Sequence, residues 1–200
     1  MKYERLFSPI KIGKLELKNR VVMPAMNTLY TADGYDNDRY NDYFFRRAEG
    51  GVGLIMVGGA VIDEYGSTYA MMNLSDDKYI EGYKALADGI HARGAKVGVQ
   101  LFQAGRYGYS SANEGRQPIA PSAVYSSYSH ETPRAMTVEE IKTVIRKGAE
   151  AAVRVRKAGF DLVELSGSAG YMISQFLSPV TNLRTDEYGG PWENRVRFAK

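Results

Sequence analysis

Three times along the chain an amphipathic stretch ends at a glycine and is followed by a short, nearly unbroken apolar run. Tyr40 to Glu49 reads as a helix stopped by Gly50-Gly51, and Val52 to Val57 reads as the strand after it. Asp77 to Arg93 reads as a second helix stopped by Gly94, with Lys96 to Phe102 as its strand. Val138 to Ala158 reads as a third helix stopped by Gly159, with Phe160 to Leu165 as its strand. Glycine is favoured just past a helix end because it adopts the left-handed backbone without a Cβ clash. Thr137 with Glu140 three residues on is a capping box and marks where the third helix starts.

The strand segments LIMV, VGVQLF and DLVEL do not alternate apolar with polar. Such runs predict strands covered on both faces, as in a parallel sheet. Helices alternating with them predict right-handed βαβ units. Ahead of these, Arg20 to Met23 reads as a first strand, and Phe7 to Asn19, with Gly13 near its middle, as a hairpin placed to plug the bottom of a barrel. Trp192 to Lys200 reads as a fourth helix. Four strands suit either a small doubly wound domain or the first half of a closed (β/α)₈ barrel, which needs eight strands and about 250 residues. A half barrel leaves two unpaired edges, so on that reading the chain is the first part of a longer protein. Pattern alone does not choose between the two.

The connection from Ala104 to Met136 is rich in Gly, Ser, Tyr and Pro. Loops longer than about 12–15 residues are usually functional or disordered. Tyr107, Tyr109, Tyr125 and Tyr128 make it either a lid over a planar ligand or a rigid surface loop with tyrosines packed beneath it.

Composition narrows the chemistry. Apolar residues are 44% and charged residues 24%, ordinary values for a globular domain. The net charge of +3 is small and dispersed, which argues against a nucleic-acid partner. No cysteine is present, so a disulfide, a thiolate metal site and a cysteine nucleophile are all excluded within the chain. Two histidines, His91 and His130, are too few for a histidine-rich metal site. No segment approaches the ~20 apolar residues of a membrane helix, and the N-terminus lacks a signal-peptide core. The expectation is a cytoplasmic protein with no membrane and no resident metal.

In a parallel barrel, functional side chains gather at the C-terminal ends of the strands. Those positions are Met23 to Asn27, Gly58 to Ala60, Gln100 to Gln103 and Ser166 to Tyr171. The set holds small residues, amides and a tyrosine, with few acids or bases. The glycines around Ser168 have the wrong spacing for a nucleophile elbow, and no phosphate loop of the Walker type occurs. Small residues and amides do suit a flat heterocyclic cofactor, allowing close approach and hydrogen bonds to its polar edge.

The motifs have a familiar order. LFSPIKIGKLELKNRVVMPAM, GGVGLI, VQLFQAGR, PSA, PRAMTVEEI and above all AGFDLVELSGSAGYMISQFLSPVTNLRTDEYGGPWENRVRF resemble the old yellow enzyme family. Within it they are most similar to the 2,4-dienoyl-CoA and enoate reductase branch, and the likeness spans nearly the whole chain. It implies the α/β class, a (β/α)₈ TIM barrel of which residues 1–200 supply about the first four βα units, as the N-terminal part of a single FMN-binding domain. It implies an FMN-dependent oxidoreductase that passes hydride from NADH or NADPH to an activated alkene: an α,β-unsaturated carbonyl, or an enoyl or dienoyl thioester. By the same resemblance Ala25, Met26 and Asn27 line the isoalloxazine and Ala60 lies near its carbonyl edge. Gln100, whose amide both donates and accepts, hydrogen-bonds the pyrimidine ring. Tyr171 is implied as the proton donor, a role open to a phenol that is protonated at neutral pH.

Where many members carry His, or His with Asn, to hold the substrate carbonyl, this chain has Ser166 and Ala169. Carbonyl activation is therefore expected from Ser166, Ser168 or residues past position 200. The branch's iron–sulfur cluster and FAD are possible only in a longer parent protein, because the chain has no cysteine. The flavin phosphate site belongs to the last strands of such barrels, so residues 1–200 alone are expected to bind FMN poorly. The partners that the resemblance implies are a small-molecule substrate and, in an oligomer, a second copy of the chain. Two alternatives stand beside this reading: an amine-oxidising or demethylating flavoprotein of the same superfamily, and a non-catalytic barrel fragment that binds a partner along its open edges.

Overall fold

A computed structural model of the protein describes residues 3–200. The chain divides into two compact units. The first comprises the described residues up to Ala60 with Ala70–Leu101 and Ala151–Glu164, and the second Val61–Tyr69, Phe102–Glu150 and Leu165–Lys200.

In the first unit a short helix α1 (Glu4–Phe7) precedes the hairpin β1 (Ile10–Ile12) and β2 (Leu15–Leu17). The turn passes through Gly13 at φ +58°, a left-handed conformation that glycine adopts without penalty. Leu17 is fully buried and packs with Leu54 and Met56, with Ile10, Leu15, Ala25 and Leu162 around them. The hairpin therefore does cover one end of the strands, as its apolar residues predict.

The main sheet has four strands in the order β3 (Val22–Met23), β4 (Leu54–Val61), β5 (Lys96–Phe102) and β8 (Leu162–Leu165). The first pair is parallel, with Val22 opposite Leu54 and Met23 opposite Ile55. Every residue of β4 is buried, as an unbroken apolar run requires of a strand covered on both faces. β3 and β8 flank the sheet, and there Val22 is 43% and Leu165 57% exposed. Both strands are shorter than their sequence patterns suggest. An outer strand is paired along one side only, so it shortens where its second neighbour is missing.

α2 (Asp38–Glu49) and α3 (Ile80–Ala92) are the long helices that lie wholly in this unit. Asn37 caps α2 by accepting from the Tyr40 N–H at 3.0 Å, and Tyr40, Phe44 and Ala48 form its buried stripe. α3 buries Tyr83, Leu86, Ala87 and Ile90. Its first turn, Asp77–Tyr79, is 3₁₀ rather than α, because Asp76 caps the Lys78 N–H and tightens the entry. At the start of β5 and β8, Asp161 gathers His91 Nε2 at 2.7 Å, the Val97 N–H at 2.9 Å and Lys96 Nζ at 3.2 Å.

In the second unit the long connection is ordered by its own bonds. β6 (Ile119–Ala120) pairs in parallel with β7 (Arg134–Ala135), and Ser126 bridges Glu131. These two-residue strands have no apolar period to announce them. α4 (Val138–Lys157) begins at the capping box: the Thr137 N–H donates to Glu140 Oε2 at 2.8 Å and the Glu140 N–H to Thr137 Oγ1 at 3.2 Å. α5 (Met172–Leu177) and α6 (Trp192–Arg195) follow β8. The helix expected over 192–200 is only α6 plus a 3₁₀ turn, Arg197–Ala199, a common way for a short helix to end. Among the described residues, no helix is long and apolar enough to cross a membrane, and no group of acidic, histidine or cysteine side chains has the arrangement of a metal site.

Candidate active site

In the first unit, the chain leaving β3 runs through Ala25, Met26, Asn27 and Thr28 beside β4. It lies so close that a Cβ on Gly58 would fall on the Met26 backbone, well inside 3.0 Å. Glycine at 58 is thus the sequence condition for that path. Ala25 packs on the Leu17 cluster, while Met26 is 51% exposed and Asn27 is exposed. Asn27 Oδ1 accepts from the Leu29 N–H at 3.2 Å, which folds the strip into a turn with Leu29 at φ +59°. Thr28 Oγ1 is buried and has no hydrogen-bond partner, an exception in folded proteins that calls for an explanation. Ala60 is fully covered, so it offers packing rather than open surface. Gln100 on β5 is half-buried and its Nε2 donates to Glu164 on the neighbouring β8.

In the second unit, the segment after β8 turns sharply. Ala169 at φ +57° and Gly170 at φ +83° are successive left-handed residues. A non-glycine residue in that region costs energy, and such strain clusters at functional sites. The turn delivers Tyr171 to the start of α5. Its ring sits edge-on to Phe102 at 4.4 Å and to Tyr107 at 6.0 Å. Burial, and then the neighbouring Tyr128 and Tyr107 hydroxyls, raise the Tyr171 phenol above its ordinary value. It therefore stays protonated at neutral pH. Ser166 is buried and Ser168 is exposed, and the Ser168 carbonyl accepts from the Tyr171 N–H at 3.3 Å.

The turn is held by a residue that sequence reading missed. Gln175 is 2% exposed. Its Nε2 donates to the Gly170 carbonyl at 2.7 Å and the Ala104 carbonyl at 3.0 Å, and its Oε1 accepts from the Arg106 N–H at 2.9 Å. Met172 N–H adds a backbone bond to the Gln103 carbonyl at 3.1 Å. The Tyr171 turn is thereby fastened to the chain leaving β5. An amide in the largely apolar segment MISQFL was a signal, but its partners lie up to 71 residues upstream.

Gln103 lies in the Gln100–Gln103 strand end that the sequence singled out, and the structure supplies its partners. Its Nε2 lies 3.3 Å from both oxygens of Asp63, and its Oε1 accepts from the Gly105 N–H at 2.5 Å. Burial raises the Asp63 carboxyl, an effect only partly offset by the Tyr65 N–H and Gln103.

Three tyrosines of the long connection, Tyr107, Tyr109 and Tyr128, form a chain of rings with Tyr69. Tyr107 meets Tyr128 at 5.1 Å, Tyr128 meets Tyr109 at 6.1 Å, and Tyr109 meets Tyr69 at 4.7 Å. Tyr125 stands apart, its hydroxyl 3.2 Å from His130 Nδ1.

Residues 5–200 match the profile of the NADH:flavin oxidoreductase / NADH oxidase family. The chain belongs to that family. Among its relatives, a metal reductase of Desulforamulus reducens is 48% identical over 97% of this chain and 29% of its own length. An NADH oxidase of Thermoanaerobacter brockii is 45% identical over 98% of this chain and 31% of its own. A solved 2-naphthoyl-CoA reductase in complex with 2-naphthoyl-CoA superposes with a TM-score of 0.94 at 36% identity, over 98% of this chain and 32% of that one. The chain thus spans about a third of the length of these relatives. The NADH:flavin oxidoreductase fold is the old yellow enzyme TIM barrel, and this chain supplies the first four βα units of it. Of the two architectures that the strand pattern left open, the comparisons select the barrel.

Proposed function

We propose that the protein is an FMN-dependent oxidoreductase that uses NADH or NADPH to reduce a carbon–carbon double bond conjugated to a carbonyl, with Tyr171 as proton donor. The observation that carries this reading is the presentation of Tyr171. A strained turn, clamped by a buried glutamine, holds one phenol protonated among aromatic rings.

The first-unit residues fit the flat part of a flavin. Thr28 has a buried hydroxyl lacking a partner, Asn27 and Gln100 contribute amides, and Gly58 keeps the Ala25–Met26–Asn27 strip flat against β4. In this reading Ala25, Met26 and Asn27 hold the ring. Gln100, its Nε2 bound to Glu164, would leave its carbonyl oxygen to accept from a ring N–H. Ala60 packs behind that surface. Bound there, the flavin supplies a hydride acceptor and donor between nicotinamide and alkene.

Tyr171 then delivers its proton to the alkene's α-carbon, with Phe102 and Tyr107 limiting its rotation. Ser168 is the exposed hydroxyl beside it. Ser166 is buried and offers no open surface to a substrate.

The test is a visible absorption spectrum of the intact protein as purified, followed by a Tyr171→Phe variant. Flavin bands released as FMN on denaturation are expected. Tyr171→Phe is expected to lose alkene reduction by about 100-fold or more, within the range of a general acid, while NAD(P)H still bleaches the flavin at the parent rate. A folded, colourless protein that takes up no added FMN refutes the reading. Amine oxidation in place of alkene reduction also refutes it.

A further inference from the structure

Resting on the alkene-reductase reading, we propose that Arg106 holds and polarises the acceptor's carbonyl oxygen beside Tyr171. The need for such a group is visible in the second unit. Ser166 is buried, and Ala169 has no polar side chain. Neither supplies a charged donor to an oxygen that gains negative charge during reduction.

Arg106 has that charge and lies in the right neighbourhood. Its Nε is buried and has no hydrogen-bond partner. An arginine N–H withdrawn from water without an acceptor is unfavourable, so an acceptor that arrives with the substrate accounts for it. The backbone of Arg106 is fastened to the Tyr171 turn through Gln175: one amide side chain takes the Arg106 N–H and donates to the Gly170 carbonyl. The Arg106 guanidinium carbon lies 5.5 Å from the centre of the Tyr107 ring, and that ring is the one edge-on to Tyr171 at 6.0 Å. A cation over an aromatic face is held without consuming its N–H donors. The guanidinium is therefore oriented by Tyr107 with a donor left over.

The chemistry balances. A hydride, supplied in the end by NAD(P)H through the bound cofactor, would form a C–H bond at the acceptor's β-carbon as the alkene π bond breaks. The π electron pair moves toward the carbonyl oxygen, where the Arg106 guanidinium stabilises the developing enolate. The enolate pair then takes the Tyr171 proton at the α-carbon, breaking the phenol O–H bond, and water reprotonates the phenolate. Guanidinium is suited to the oxygen because it never deprotonates and presents several N–H groups in one plane.

The experiment uses the flavin-loaded protein, a cyclic enone as acceptor, and the variants Arg106→Ala and Arg106→Lys. For Arg106→Ala we expect NAD(P)H to bleach the flavin within twofold of the parent rate. Reoxidation by the enone should fall at least 100-fold, the size of losing an oxyanion donor. Added methylguanidinium should restore part of it, and Arg106→Lys should lie between. The carbonyl stretch of bound, isotope-labelled enone should sit at lower frequency in the parent than in Arg106→Ala. That shift is read without turnover. If the parent shows it but reduces no alkene, the alkene-reductase reading fails and the role of Arg106 in holding the carbonyl stands. The proposal is overturned by an identical carbonyl frequency in parent and variant, by reoxidation of Arg106→Ala within threefold of the parent, or by equal loss of both half-reactions without rescue.

Discussion

Replacing Gln175 by leucine tests whether the Tyr171 turn depends on one buried amide. Leucine fills nearly the same volume, so little cavity is made and the change is chiefly the loss of hydrogen bonds. Two backbone groups lose their partner together, the Gly170 carbonyl and the Arg106 N–H, while the Ala104 carbonyl keeps its bond from the Tyr107 N–H. Gln175 is 2% exposed, so water does not reach the site to replace it. A buried polar group left unpaired costs about 1–3 kcal/mol. Carbonyls tolerate under-satisfaction better than N–H groups do, so the carbonyl takes the lower half of that range and the N–H the whole of it, and the sum is about 2–5 kcal/mol. That is a large part of the 5–15 kcal/mol by which domains are stable. The assay is urea denaturation followed by tyrosine fluorescence, with Gln117→Leu as control. Gln117 is exposed and makes one bond, to the Thr132 carbonyl at 3.0 Å, so its loss should lie within about 0.5 kcal/mol of zero. A Gln175→Leu variant destabilised by less than about 1 kcal/mol would refute the argument that this amide holds the turn.

Two further predictions rest on different contacts. Gly58→Ala should push the Met26 backbone off β4, because the added methyl has no room to move aside. The expected cost is at least the 1–3 kcal/mol of overpacking, with FMN uptake by the intact protein weakened at least tenfold, and titration with FMN measures it. Glu140 is held well below its ordinary value of 4.5, to about 2, first by its hydrogen bond from Arg134 and then by the Thr137 N–H. A depressed carboxyl contributes stability that is present above the unfolded value and is lost as pH falls through the folded one. The difference in urea midpoint between the parent and Glu140→Gln should therefore be largest at pH 6 and shrink at pH 3. A difference that is constant between those pH values counts against it.

What the sequence determined by itself was the repeating unit and its ends. Glycines 50, 94 and 159 stop helices, and the Thr137–Glu140 box starts one. The apolar runs of β4 and β5 identify covered strands. These features are local, since each needs only neighbours within a turn or a strand, so they are written in consecutive residues. The positions of the candidate site were legible for the same reason: they follow strand ends. The tertiary structure decided what those positions can do. It covered Ala60 completely, left Met26 exposed, and gave the Gln100 amide a carboxylate partner on the next strand. It also revealed Gln103 paired with Asp63, Gln175 as a clamp, and Arg106 with a buried donor unmatched. These depend on partners tens of residues away, which side-chain periodicity does not encode. The ends of β3 and β8 differ from their sequence patterns because hydropathy records a strand's wish to be buried, whereas its length depends on a neighbour to bond with.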